Sequence, residues 1–200
     1  MSEIRNVCVY CGSAAGSDPA FVAAAAELGR ALAKAGIGLV YGGGDRGLMG
    51  VVAHHVLDHG GRVIGIIPEF LKQREIPLDA AQELISVPDM HTRKRLMFER
   101  ADAFVALPGG VGTLEELVEQ LTWAQLGRHT KPVLIADIGG FWRPLLSLFA
   151  HMRQNGFIRP EFEVRYLVAE RVVDILPMLT KSAETARLLG AEQESLRPEL

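Results

Sequence analysis

Short apolar runs recur along the chain, separated by longer stretches with helical spacing. The runs are Ile4–Gly12 (IRNVCVYCG), Ile37–Gly43 (IGLVYGG), Arg62–Pro68 (RVIGIIP), Ala103–Gly110 (AFVALPGG) and Pro132–Asp137 (PVLIAD), with a later one at Val164–Ala169 (VRYLVA). Their length fits strands, and their apolar character on both faces fits burial under two layers of helices. Between the first two lies FVAAAAELGRALAKAG, whose apolar residues repeat at helical spacing and which stops at Gly36. Strand and helix therefore alternate, which predicts an α/β fold: a Rossmann-like doubly wound parallel sheet with helices on both faces. In such sheets a ligand binds beyond the carboxyl ends of the strands, where the strand order reverses. A last helix is expected through Leu179, and the polar, alanine-rich segment from Ser182 is expected to fray. No repeat or linker divides the chain, so residues 1–181 read as one domain and residues 182–200 as a disordered tail.

Composition narrows the function. At 200 residues, 48% of them apolar, the chain can bury a full core. A net charge of -3, with dispersed basic residues, speaks against a nucleic acid polymer or a membrane surface and leaves a small molecule as partner. No apolar run is long enough to span a bilayer, and MSEIRNVCVYCGS lacks the pattern of a signal peptide, so a cytoplasmic location is expected. Cys8 and Cys11 form a C-x-x-C, but three residues apart on a strand they face opposite sides; buried thiols are expected, with no metal or redox role. His54 and His55 are adjacent on a helix and diverge; His55 and His59, one turn apart, could form a metal pair but lack a nearby acid of the zincin type.

Three strand ends carry small residues: Cys11–Asp18 (CGSAAGSD), Tyr41–Gly50 (YGGGDRGLMG) and Pro108–Thr113 (PGGVGT). Glycine lets a backbone approach a ligand closely, and a helix that starts directly afterwards aims free amides at an anion. On this reading Ser13, Gly43, Gly44 and Gly109 line a phosphate-holding crevice. Gly42, Gly44 and Gly47 also fit G-x-G-x-x-G, with Glu69 placed to take a ribose hydroxyl, so NAD remains an alternative ligand. No loop ends in the G-K-[ST] of a nucleoside-triphosphate site.

The third loop runs into two carboxylates, LPGGVGTLEE. Thr113 and Glu116 satisfy T-x-x-E, a capping box that would explain the acid without chemistry. Upstream, Arg93, Lys94 and Arg95 lie in one helical turn, with Met90, Met97 and Ala101 spaced to face the core and Arg95 and Glu99 spaced for an exposed pair. Periodicity alone makes these cations a solvated face. Proximity to the glycine loop would instead let them offset the repulsion between carboxylate and phosphate.

MHTRK (Met90–Lys94), PGGVGTLEE (Pro108–Glu116) and TWAQLG (Thr122–Gly127) together resemble the LONELY GUY family, whose members activate cytokinins as phosphoribohydrolases and are often mislabelled lysine decarboxylases. The resemblance covers about Val7 to Ile158, VYCGS, YGGGDRGLMG and VIGIIPEFL included. It implies hydrolysis of the N-glycosidic bond of a nucleoside 5′-monophosphate to free base and ribose 5-phosphate, without metal or redox cofactor, in a homodimer whose sites lie near the subunit seam. It places the catalytic pair on Arg93 and Glu116, and substrate contacts on Glu75, Lys94, Gly110, Val111, Gly112, Thr113, Leu114, Glu115 and Thr122. Carboxylates beside a phosphate loop are then accounted for: amides hold the phosphate while a carboxylate stabilises the sugar cation formed as the bond breaks. Arg93 has three open roles: positioning Glu116, keeping it ionised, or touching ribose or base. No residue is assigned as proton donor to the base. A nucleotide-binding sensor or carrier without chemistry is the alternative. Lysine decarboxylation is rejected, because none of Lys34, Lys72, Lys94, Lys131 and Lys181 has a recognisable pyridoxal phosphate context.

Overall fold

The computed structural model describes residues 4–72, 78 and 81–195. Seven strands form one all-parallel sheet: β1 (Asn6–Tyr10), β2 (Gly38–Tyr41), β3 (Val63–Pro68), β4 (Glu83–Val87), β5 (Ala103–Ala106), β6 (Val133–Ala136) and β7 (Leu167–Ala169). Their spatial order is β4-β3-β2-β1-β5-β6-β7. The chain therefore builds outward from β1 on one side, crosses over, and builds outward from β5 on the other. The reversal lies between β1 and β5, so the loops that follow these two strands flank the crevice that such a topology opens.

Period-two alternation decides which layer each β1 side chain joins. Val7, Val9 and Cys11 pack under α1 (Pro19–Lys34), α2 (Gly47–Leu57) and α6 (Val172–Ser195), with Leu28, Val52 and Ile175. Cys8 and Tyr10 face the other layer, under α3 (Met90–Arg100), α4 (Val111–Gln125) and α5 (Arg143–Gln154), with Met97, Leu117 and Phe149. The two cysteines are thus buried, unpaired and separated by the sheet. Burial pushes both thiols well above their ordinary range, and the charge of Glu116 adds to the effect.

Two features depart from the expected pattern. Strand β4, one of the two sheet edges, was hidden in the sequence because all its residues but Val87 are partly buried or exposed, Glu83 and Ser86 interrupt the apolar run, and Glu83 pairs with Arg100 at 3.2 Å. The last helix continues to Ser195, past both Leu179 and the expected fraying point at Ser182. Val172, Ile175 and Leu179 anchor it on the core. Beyond them, alanine, glutamate, arginine and leucine sustain it by helix propensity.

Candidate active site

The loops after β1 and β5 are bonded across the reversal point, where the Gly12 amide donates to the Pro108 carbonyl at 3.1 Å. The approach is close enough that a Cβ on Gly109 would overlap Thr113 Oγ1 and stand 2.9 Å from the Gly12 nitrogen. A cavity of about 270 Å³ lies over this junction, floored by Gly12 to Gly16 and Pro108 to Gly110 and walled by Phe21, Leu48 and Phe141. Ser13, Gly109 and Gly110 therefore share one cavity.

Helix α4 starts at once, with Gly110 as N-cap and no side-chain cap. Its first intrahelical bond runs from the Leu114 amide to the Gly110 carbonyl at 3.0 Å, so the amides of Val111, Gly112 and Thr113 precede the ladder and point out of the helix end. This start corrects the capping-box reading. Thr113 is the third helical residue and is buried, and both acids fall beyond the first turn.

Helix α3 is capped by Asp89, whose carboxylate accepts from the Thr92 amide at 2.7 Å and the Thr92 hydroxyl at 3.2 Å. The amide bond holds that carboxyl below its usual range. The cap sets a helix whose Met97 faces the core, with Ala101 buried just beyond its end and Met90 half-buried. Arg93 is buried too, contrary to a solvated basic face: only 7% of it is exposed. Its Nη2 donates to the Gly42 carbonyl at 3.3 Å and stands 4.0 Å from Glu116 Oε1, and its Nη1 approaches Met90 Sδ at 3.8 Å. Its Nε is buried with no partner among the described residues. The seat exists because residue 42 is glycine; a Cβ there would overlap the guanidinium. Both members of the pair are shielded, with side-chain exposures of 8% and 11%, so their charges act across a poorly screened gap.

Lys94, the next residue on α3, is held by Glu115 at 2.5 Å and Glu119 at 2.9 Å. Burial opposes its charge, but these two carboxylates prevail and raise its pKa above the ordinary lysine value. Arg95 and Glu99 are exposed and do not pair; water solvates both at little cost.

Other expected positions fall elsewhere. Gly43 and Gly44 are buried, and the Gly43 carbonyl accepts from the Leu78 amide at 3.2 Å. The α2 amides of Leu48 and Met49 donate to the Gly12 carbonyl at 3.0 and 3.3 Å, so the helix end that a G-x-G-x-x-G would offer a pyrophosphate is engaged within the chain. Leu114 is half-buried on α4. Thr122 is exposed and donates to the Val118 carbonyl at 2.8 Å, and about 16 Å of helix rise separate it from Val111. Glu75 lies outside the described residues. Asp45 and His54 pair at 2.6 Å, and no group of three or more candidate metal ligands occurs among the described residues. Two contributors escaped the sequence reading: Gly42, which seats Arg93, and Glu119, whose only signal was its spacing of four from Glu115.

A family model described as possible lysine decarboxylase matches residues 49–179. The cytokinin riboside 5′-monophosphate phosphoribohydrolase LOG of Oryza sativa subsp. japonica is 47% identical over 198 residues, covering 99% of this chain and 76% of that protein. The phosphoribohydrolase of the same name, LOG7, from Arabidopsis thaliana is 44% identical over 199 residues, covering 99% and 85%. The chain belongs to the LONELY GUY (LOG) family. Among solved structures, the Moco carrier protein from Chlamydomonas reinhardtii superposes with a TM-score of 0.70 over 92% of this chain and 99% of that one, at 20% identity. At that identity the likeness speaks for the parallel-sheet fold alone. The LOG membership also fits the lysines: Lys94 is bound by carboxylates, Lys131 donates to the Phe98 carbonyl at 2.7 Å, and Lys34, Lys72 and Lys181 are on the surface.

Proposed function

We propose that the protein hydrolyses the N-glycosidic bond of cytokinin riboside 5′-monophosphates, releasing the free base and ribose 5-phosphate. One observation carries this reading: 47% identity across 99% of the chain to a protein named for that activity. The site geometry supports it. The open amides of Val111, Gly112 and Thr113 at the positive end of α4 suit the substrate phosphate, and the helix's N-cap Gly110 lines the cavity together with Gly109 and Ser13. One turn further into α4, Glu116 offers a shielded carboxylate to the ribose as positive charge grows on its anomeric carbon.

Water adds across the broken bond. Its oxygen joins C1′, the bonding electron pair leaves with the base nitrogen, and that nitrogen takes a proton from solvent, to which Glu116 returns the one it accepts from the attacking water. Glu116 orients the water and takes its proton. Arg93 stands 4.0 Å away, beyond a direct hydrogen bond, and its unpartnered Nε leaves donor capacity for the ribose hydroxyls or the carboxylate as substrate closes the gap. A homodimer belongs to the same proposal. Thr122 lies too far from its own glycine loop to share a ligand with it, and Leu126, Phe157 and Phe162 are exposed at 70%, 85% and 52%. Light scattering on the purified protein tests the dimer.

The activity test is a panel of nucleoside 5′-monophosphates, AMP and isopentenyladenosine monophosphate included, with product chromatography. Base and ribose 5-phosphate should appear in equal amounts from nucleotides, and the matching nucleosides should be poor substrates. Tight nucleotide binding without base release would replace the enzyme with a carrier or sensor.

A further inference from the structure

Arg93 and Lys94 are consecutive on α3, so their side chains leave that helix about 100° apart. On α4, Glu115 and Glu119 stand one turn apart on a shared face, with Glu116 rotated away from them. The helices are therefore linked by two sets of charged side chains, Arg93 with Glu116 and Lys94 with Glu115 and Glu119. We propose that Glu119 is a positioning residue: with Glu115 it grips the Lys94 ammonium and sets the roll of α3 against α4 that keeps Arg93 4.0 Å from Glu116. The assignment rests on the phosphoribohydrolase reading and adds to it a residue that touches no substrate.

Exposure singles out Glu119 from its neighbour. The Glu115 side chain is 51% exposed, and its bond to Lys94 is weakened by water and salt; that of Glu119 is 21% exposed. The second oxygen of Glu119, Oε2, is buried and has no hydrogen-bond partner among the described residues. A surface ion pair avoids that desolvation cost, and an apolar contact between the helices would avoid it altogether. Stability alone does not favour the arrangement. Registry does, because a shielded charge pair penalises every roll angle that separates its members.

The test compares E119Q, Lys94→Met and the double variant by kcat and KM for isopentenyladenosine monophosphate and by thermal midpoint. E119Q should lose about tenfold in kcat with KM within twofold of wild type, since removing a group that acts only in the transition state leaves substrate affinity alone. The double variant should be no slower than Lys94→Met, because both changes open one clamp. Three results would overturn the assignment: E119Q with kcat within twofold of wild type, losses that multiply in the double variant, or a raised KM with kcat kept, which would place Lys94 on the substrate. If E119Q does not fold, Lys94→Met reads the clamp from its other end, and an unchanged kcat overturns it. Wild-type base release is the internal reference: its absence refutes the proposed function and this assignment together, whereas normal wild-type turnover beside an unaffected E119Q refutes the clamp only.

Discussion

Two glycine-rich loops enter helices in this molecule, and they do opposite things with the same residues. After β2, Gly42 to Gly47 lead into α2, whose first amides are bonded to the Gly12 carbonyl. After β5, Gly109 and Gly110 lead into α4, whose first amides precede the helical ladder with no side-chain cap. The β2 loop carries the better match to a dinucleotide fingerprint, yet it is the inward-packed one. A glycine pattern records where backbone comes close to something; the partner of the neighbouring amides decides whether that something is ligand or protein. Here the β2 loop builds the seat for Arg93, and the β5 loop lines the open cavity.

That division of labour can be broken at its strongest point first. Glu116→Gln keeps shape and removes charge, and is expected to lower kcat about 10²–10³-fold, in the range for losing one electrostatic contact to a developing charge. The thermal midpoint should move little. Adenine release from AMP measures the first and calorimetry the second; a glutamine variant with wild-type turnover would remove the carboxylate from the mechanism.

Gly42→Ala tests the seat. The new methyl displaces the guanidinium, so turnover should fall about tenfold or more and overpacking should cost about 1–3 kcal/mol in urea unfolding. Full activity with unchanged stability would show that Arg93 does not need this position.

A sharper contrast comes from one alanine in each loop. Gly47 has φ near +60° and packs against the Ser13 carbonyl, so Gly47→Ala should cost at least about 1–2 kcal/mol of stability from backbone strain. A Cβ on Gly112 meets nothing within 4 Å, so Gly112→Ala should leave stability near wild type and raise KM for the nucleotide several-fold by crowding the amides. The reverse pattern, with KM changed at 47 and stability at 112, would exchange the roles of the two loops.

The smallest effect belongs to the α3 cap. The Asp89 carboxyl is held below its usual range by the Thr92 amide, so its contribution is complete above the unfolded pKa of about 3.9 and disappears as pH falls through the lower folded value. The difference in thermal midpoint between wild type and Asp89→Ala should be constant from pH 7 to pH 5 and close below about pH 4. A difference that grows in acid contradicts the cap.

Six of the seven strands were legible as apolar runs because both faces of the sheet are covered. The seventh, β4, was not, because an edge strand with Glu83 and Ser86 gives no such run. Fold class and strand reversal followed from alternation, and the resemblance named Arg93 and Glu116 as the pair to examine. What the sequence hid was placement. Charge spacing put Arg93 among solvated neighbours, whereas a missing Cβ some fifty residues earlier makes room for it inside. T-x-x-E promised a cap, but the chain turns into α4 directly at Gly110, leaving Thr113 inside the helix. Glu119 carried no motif, and only the facing of two helices reveals its partner.

Because the sheet stands between Cys8 and Cys11, the protein carries one chemical clock under each helical layer. Neither sulfur can reach the other to cross-link, and a thiol-modifying reagent can reach each one only when the layer above it lifts away. Single-cysteine forms would therefore time the opening of the α1–α2 side and of the α3–α4 side separately, and nucleotide should slow the Cys8 clock more than the Cys11 clock.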